Sequence, residues 1–489
     1  MAEKTKVLIV DNNKSARTRL IAILKKSPEF SLDEAGNGKE ALKKIKKSAP
    51  DIILGDLYMP EMGGLELCKT IKKVPESQLA SIYVIILSTE EDQKTKIECI
   101  NEGADDFLTK PVKADELMIR LKVGQRTSRI LQRRKLETEK MFQEMDVLLI
   151  QDGGCAPGYN PVTAFIAYHL EAIGRAVYAT REGFKSLVEK EDNFLRLVYD
   201  PGMFKKLDHI PGVFHAAPLS EWRGAQLRSE RFRDFIKLEV QKKATALIKH
   251  KRVKAIIAIG GNGTFRGIHS LCQLLPTSIQ VFFIPVTIDS DVAGTDCVGQ
   301  YTGVEVGAEK IRCYMADART HKRVYIIEMM GANSGFHALH SCLGSRAHLA
   351  VLPNSRIDHK KVVDAINQRE ECVIVVAEGY KKEDRAREKT TLNAAEYFHK
   401  ELLATKKKIN RKVVCEPFSR DIRGAAPNNM DISLAQRMAY NVAGYLKAGT
   451  SRLMPAVQSG REYAIPFNEI TTDNMKEDDL LVLSNRLTK

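Results

Sequence analysis

The sequence contains no apolar run near the roughly 20 residues that a membrane-spanning helix needs, so a helical membrane protein is not expected. Its start, Met1-Ala2-Glu3-Lys4-Thr5-Lys6, leads directly into a strand-like run without the basic and apolar regions of a secretory signal. No Cys-x-x-Cys pair occurs. The nine cysteines are scattered, which argues against a disulfide framework or a zinc site and fits reduced thiols in a cytoplasmic protein. There is no internal repeat, no low-complexity tract and no nucleic-acid-binding motif. What is there is a chain of 489 residues, too long for one core and sufficient for two or three domains. Apolar residues at 44% and charged residues at 28% are those of a globular protein. The formal charge of +14 fits either a nucleic-acid surface or sites for phosphorylated small molecules on a Lys-rich exterior. The lysines are dispersed, as in Lys43-Lys44, Lys46-Lys47 and Lys406-Lys407-Lys408, and charge alone is a weak cue. The second reading is therefore preferred.

Residues 1–123 alternate buried strands with amphipathic helices. Lys6-Val7-Leu8-Ile9-Val10 ends at Asp11, Asp51-Ile52-Ile53-Leu54 at Gly55-Asp56, and Tyr83-Val84-Ile85-Ile86-Leu87 at Ser88. Leu20, Ile21 and Leu24, then Ala41 and Ile45, mark helices between them. The pattern predicts a doubly wound α/β parallel sheet with ligands at the carboxyl ends of the strands. Residues 124–145 are polar and helix-favouring, with Leu117, Leu121, Leu131, Phe142 and Met145 in a broken four-three spacing. They read as a helical linker, either a solvated connector or a helix that couples domains or pairs between subunits. A second α/β pattern fills 146–489. Its strands are Val147–Ile150, Ala255–Ile259, Val281–Ile284, Val324–Ile327 and Val373–Val376.

In the first domain Asp11 and Asp56 should converge at one sheet edge with Ser88 and Lys110. A carboxylate attacks phosphorus when a divalent cation and a lysine neutralise the charge. Val10-Asp11-Asn12, Asp56-Leu57-Tyr58-Met59-Pro60 with Gly63-Gly64, Leu87-Ser88 and the run from Gly103 to Pro111 together resemble a response-regulator receiver domain, flavodoxin-like in fold. The resemblance implies that Asp56 accepts phosphate from a histidine kinase. It also implies that Asp11, Asn12 and Asp56 hold Mg²⁺, and that Phe107 is the aromatic switch. Asn12 replaces a second acid of the family, so weaker metal binding is expected. A receiver fold used only for docking or dimerising is the alternative.

In the second domain Gly153-Gly154-Cys155-Ala156-Pro157-Gly158 and Gly260-Gly261-Asn262-Gly263-Thr264 each follow a strand, where turned backbone N–H groups can hold an anion. Either could be an ordinary turn, and similar second turns occur in NAD kinases and lipid kinases. Pro285-Val286-Thr287-Ile288-Asp289-Ser290-Asp291 follows a third strand, with Gly294-Thr295-Asp296 after it. If extended, it sets Asp289 and Asp291 on one side, one as a base and the other supporting a metal. Alone, this pair could be a capped turn. The three loops in this order resemble the phosphofructokinase family, and so do four later segments: Ser229-Glu230-Arg231-Phe232, Arg323 with Glu328-Met329-Met330-Gly331, Ala377-Glu378-Gly379, and Ile422-Arg423-Gly424-Ala425-Ala426-Pro427.

The resemblance implies a two-lobed α/β domain that transfers the γ-phosphoryl of ATP to the 1-hydroxyl of fructose 6-phosphate. Asp289 would be the base, Thr287 would steady the transferring group, and Asn262 and Asp291 would face Mg²⁺. Gly153, Gly154, Arg231, Gly261, Gly263 and Thr264 would hold the nucleotide. Arg323, Met330, Gly331, Glu378, Arg420 and Arg423 would hold the sugar phosphate, Arg suiting phosphate by its planar fork. Active and effector sites at subunit interfaces imply a homo-oligomer. Gly263 and Val286 differ from the Asp and Lys of the pyrophosphate-using branch, which favours ATP. Asn262 stands in place of a Mg²⁺-associated Asp, Ala332 in place of an Arg that steadies the phosphoryl group, Cys155 in place of an Asp, Val286 in place of Gly and Arg420 in place of His. These departures predict a slow, altered or silent site, while Asp289 and Asp291 argue against complete loss. A signalling pseudoenzyme that binds nucleotide or sugar phosphate, and a kinase for a different sugar, are the alternatives. His337 and His340 read as packed or solvated, and Cys297 and Cys342 as small apolar residues.

Overall fold

The computed structural model describes residues 4–72, 81–89, 93–189, 193–418, 420–472, 485 and 487. Met1–Glu3 and most of the C-terminal stretch assigned above to the second domain, from 473 onward, lie outside the described residues. The chain divides into two compact units, Met1–Glu139 and Lys140–Lys489.

The first unit contains β1 (Thr5–Val10), α1 (Lys14–Leu24), β2 (Phe30–Ala35), α2 (Gly38–Lys47), β3 (Ile52–Asp56), α3 (Gly64–Lys72), β4 (Tyr83–Ser88), α4 (Gln93–Asn101), β5 (Asp106–Thr109) and the start of α5 (Ala114–Gln143). All strand pairs are parallel, in the order β2-β1-β3-β4-β5. Successive residues of each inner strand feed opposite apolar layers. Leu8, Val10 and Ile53 pack on one face, and Val7, Ile9, Ile52 and Leu54 on the other. That double burial explains the uninterrupted apolar runs. Asn13 and Asn37 cap α1 and α2 by accepting backbone N–H bonds. The stretch read as a linker continues the helix that closes this sheet: α5 is unbroken through Gln143, with Leu117, Leu121, Gly124 and Ser128 buried.

The second unit has two sheets. The larger orders its strands β17-β16-β11-β10-β6-β7-β8-β9. In chain order they are β6 (Val147–Gln151), β7 (Val177–Thr180), β8 (Phe194–Val198), β9 (Val213–His215), β10 (Ala255–Gly260), β11 (Gln280–Pro285), β16 (Leu453–Gln458) and β17 (Arg461–Pro466). Among the described residues only β7 with β8 and β16 with β17 pair antiparallel. The smaller sheet, β13-β14-β12-β15, is wholly parallel. It is built from β12 (Val324–Met329), β13 (Leu349–Val351), β14 (Cys372–Ala377) and β15 (Val413–Pro417). The helices are α6 (Tyr159–Ala172), α7 (Pro201–Leu207), α8 (Leu238–His250), α9 (Asn262–Cys272), α10 (Gln300–His321), α11 (Phe336–Ser345), α12 (His359–Asn367), α13 (Lys382–Arg387), α14 (Ala394–Ala404) and α15 (Asn429–Lys447). One apolar cluster joins the lobes, since Ile257 and Ile284 from the larger sheet share it with Ile327 and Val375 from the smaller.

Buried Asp431, in the first turn of α15, ties this core to the loop that follows β11. Its Oδ1 accepts from Gly299 N at 2.8 Å, and its Oδ2 from Thr302 N at 2.7 Å and Thr302 Oγ1 at 2.5 Å. Replacement by Ala would orphan all three donors at the start of α10. Asp431→Ala is expected to cost about 2–4 kcal/mol, read as a lower urea midpoint at unchanged slope.

Candidate functional sites

In the first unit β1 and β3 end side by side and deliver Asp11 and Asp56 to the same edge. Lys110, just past β5, donates to Asp11 Oδ2 at 2.7 Å and to Asp56 Oδ1 at 2.6 Å. Burial outweighs that pairing at Asp56 and raises its carboxyl above the usual range. At Lys110 burial pulls downward, but its hydrogen bonds to Asp11 and Asp56 prevail and hold the ammonium above its usual range. Ser88 closes β4 and is buried, with its carbonyl accepting from Lys110 N at 2.7 Å. Asn12 lies exposed beside Asp11. Phe107 is half-buried, with the Lys96 ammonium 5.5 Å from its ring centre.

In the second unit a cavity of about 420 Å³ opens at the carboxyl ends of β6, β10 and β11. Gly153, Gly154, Arg231, Gly261, Asn262, Gly263, Thr264, Thr287, Asp289, Asp291 and Arg423 all line it. Close backbone approach dictates two glycines here. A Cβ on Gly260 would lie 2.2 Å from Thr264 Oγ1 and 2.4 Å from the Asp152 carbonyl. Gly153 has φ +106°. A Cβ on Gly263, by contrast, would meet nothing within 4 Å. Asn262 begins α9, so the free N–H groups of that helix are available to an anion on the cavity wall.

The loop carrying Asp289 is bent rather than extended, because Ser290 adopts a left-handed φ of +49°. The two carboxylates therefore share the cavity through a turn, not through strand alternation as expected. The Thr287 hydroxyl accepts from Asp289 N at 3.0 Å and braces that turn. Asp289 is buried, and burial lifts its carboxyl to about 6 against the nearby Arg423 guanidinium. Arg423 Nη2 stands 3.7 Å from Asp289 Oδ1. Asp291 is also raised by burial, opposed by backbone bonding, by the Arg266 charge and by the Asn262 amide. Asn262 Oδ1, Asp289 Oδ1 and Asp291 Oδ1 are buried without a hydrogen-bond partner. Such oxygens suit a metal ion or a ligand hydroxyl.

The remaining expected residues divide by strand end. Met330 and Gly331 leave β12, and Glu378 leaves β14, both at carboxyl ends. Glu378 Oε2 accepts from Gly331 N at 3.3 Å and Ala332 N at 3.1 Å, and Ala332 itself reaches the cavity wall. Arg420 is exposed in the turn that also carries Arg423, and it does not line the cavity. Arg323 lies at the opposite, amino end of β12, with Nη1 3.8 Å from Asp317 Oδ2, so the structure does not bring it to this site. His337 is buried and its imidazole is lowered to about 4 by burial, which leaves it neutral. His340 packs 4.3 Å from the Phe336 ring, centre to centre. Cys297 and Cys342 are buried. Among the described residues no three His, Cys, Asp or Glu side chains gather as a metal cluster.

Arg266 and Asp152 are among the lining residues that were not anticipated. Arg266 stands four positions after Asn262, a spacing that sets both on one face of α9. Asp152 immediately follows β6, where the two glycines drew attention past it. Its carboxyl is pushed up to about 7 by burial, although the Phe184 backbone N–H, Thr264 and Arg231 pull the other way.

Residues 146–446 match the phosphofructokinase family and residues 7–122 the response regulator receiver domain. The chain is 30% identical over 242 residues to an ATP-dependent 6-phosphofructokinase of Aquifex aeolicus, covering 48% of this chain and 70% of that protein. It is 29% identical over 324 residues to ATP-dependent 6-phosphofructokinase 1 of Thermus thermophilus, covering 65% and 91%. Two solved structures share the fold. The pyrophosphate-dependent phosphofructokinase of Nitrosospira multiformis superposes with a TM-score of 0.56 at 18% identity, over 69% of this chain and 87% of that one. Pichia pastoris phosphofructokinase in the T-state gives 0.56 at 20% identity, over 67% and 35%.

The Asp152 environment predicts a pH effect on stability. A folded-state value near 7, above the ordinary 3.8, means that the protonated acid favours folding. Stability from this group is lost as pH rises from about 4 to about 7 and stays lost above that. Asp152→Asn removes the titration. The stability of the variant relative to wild type is expected to rise by on the order of 2 kcal/mol between about pH 5 and pH 8, read from paired urea melts.

Proposed function

Because the chain belongs to the phosphofructokinase family and carries a response regulator receiver domain, we propose that it moves the γ-phosphoryl of ATP to the 1-hydroxyl of fructose 6-phosphate under receiver control. The observation that carries this reading is the Asp289 carboxyl. It is buried, its Oδ1 accepts no hydrogen bond, and it lines the cavity that also holds Arg231, Arg423 and the start of α9. Asp289 takes the proton of the acceptor hydroxyl, and its raised basicity suits that task. The free N–H groups at the start of α9, with Arg231, hold the donor phosphates, while Thr287 keeps the Asp289 turn in place. Asn262 and Asp291 would hold a magnesium ion, whose chemistry is to neutralise charge on the phosphates. The open space at Gly263 and the uncharged Val286 support a nucleotide over pyrophosphate. Glu378, Met330, Gly331 and Arg423 would take the sugar phosphate. Arg420, exposed in the turn that carries Arg423, would add to it in a homo-oligomer, whereas Arg323, at the far end of β12, takes no part in this site.

In the receiver, Asp56 would accept phosphate from a histidine kinase, with Lys110 and Ser88 at the phosphoryl oxygens. Asp11, Asp56 and the Asn12 amide oxygen would hold the magnesium ion. Given ATP, Mg²⁺ and fructose 6-phosphate, the purified protein is expected to release ADP and the bisphosphate. Asp289→Asn should lower kcat by about 10²–10⁴-fold. Prior acetyl phosphate treatment should change the rate in wild type but not in Asp56→Asn. Absence of turnover with both ATP and pyrophosphate overturns the reading.

A second reading, a sensor that binds nucleotide or sugar phosphate with little turnover, is favoured by Asn262 and Ala332. Both line the cavity where the family carries an acid and an arginine. Under that reading the Asn262→Asp, Ala332→Arg double variant should gain about 10²-fold or more in kcat. Brisk wild-type turnover that the double variant does not improve excludes it.

A further inference from the structure

The transfer chemistry leaves Asp152 without a role, although it is among the least comfortable groups in the cavity. The residue is buried and lines the same cavity as the start of α9, and its Oδ1 has no hydrogen-bond partner. Its other oxygen, Oδ2, lies 3.2 Å from the Thr264 hydroxyl. The Phe184 backbone N–H lies near enough to favour the ionised carboxylate. From α6, the Tyr159 hydroxyl is committed to the Asp152 carbonyl. The segment before Phe232 offers Arg231, which attracts the carboxylate, and Glu230, which repels it and is itself paired with Lys185 at 3.0 Å. Tyr159 stays un-ionised, since burial holds its phenol far above the usual range.

An anionic donor drawn to the α9 terminus and Arg231 would meet this carboxyl on the same dry wall. An ionised Asp152 repels it at low dielectric, whereas a protonated carboxyl offers a hydrogen-bond donor. We propose that Asp152 is a donor-binding residue acting in its protonated form: its carboxyl O–H donates a hydrogen bond to a phosphate oxygen of the polyphosphate, so donor and one proton bind together. This rests on the cavity being the phosphoryl-donor site. At low pH the proton is already present, and above neutrality it is drawn from solvent on binding, with no other bond made or broken. Burial that favours the neutral acid in the free protein supports the same arrangement.

The test is calorimetric titration of the full chain with MgATP and, separately, with magnesium pyrophosphate, without acceptor, in buffers of different ionisation heat. At about pH 8, wild type should take up about one proton per donor, and its affinity should fall by about tenfold per pH unit above neutrality. Asp152→Asn, whose amide can still donate, should keep the low-pH affinity and lose both effects. Asp152→Ser serves as a second variant and should also lose the proton uptake. Binding to wild type without proton uptake, or with uptake equal to that of both variants, overturns the assignment of Asp152 and leaves the donor site standing. Failure of either polyphosphate to bind at any pH removes the donor site and this proposal with it.

Discussion

The cavity of the second unit depends on how closely β6 and β10 approach at their carboxyl ends. At Gly260 there is no room for a side chain, because the Asp152 carbonyl and the Thr264 hydroxyl occupy the space a Cβ would take. The Thr264 hydroxyl donates to that carbonyl at 2.9 Å, and Asp152 N donates to Ile259 O at 3.1 Å. These contacts join the first glycine turn to the second and aim the N-terminus of α9 into the cavity. Val286 N bonds Gly260 O at 2.8 Å and brings the Asp289 loop into the same cluster. A bulkier residue at Gly260 would separate all three loops at once.

The cavity concentrates charge of both signs, with Asp152 and Asp289 buried in its wall. Asp152, Asp289 and Asp291 are all raised by burial, and Arg231, Arg266 and Arg423 oppose that shift. The unpartnered oxygens show that the protein alone does not satisfy this set. A site built this way is completed by its ligands, which fits phosphoryl transfer, where positioning and electrostatics do most of the work. The first unit solves a smaller version of the problem by placing the Lys110 ammonium between two carboxylates.

Much of this was legible in the residues. The apolar runs marked the central strands of each sheet because those strands are buried on both faces. The polar residues ending them marked the site because parallel sheets place their loops together at carboxyl ends. Edge strands escaped notice for the same reason: β2, Phe-Ser-Leu-Asp-Glu-Ala, is half exposed and lacks an apolar run. The glycine turns and the Asp289 loop were visible as motifs, whereas Asp152 and Arg266 carried no motif and became visible only when the cavity wall was traced.

The sequence by itself determined the two α/β units, their families and the identity of the candidate base, because those rest on local patterns and ordered motifs. Tertiary structure decided the rest. It bent the Asp289 loop at Ser290, set Arg323 at the far end of its strand, and buried Asp152 beside the start of α9. Each of these depends on which segments distant in the chain pack together and exclude water, and no local pattern carries that information.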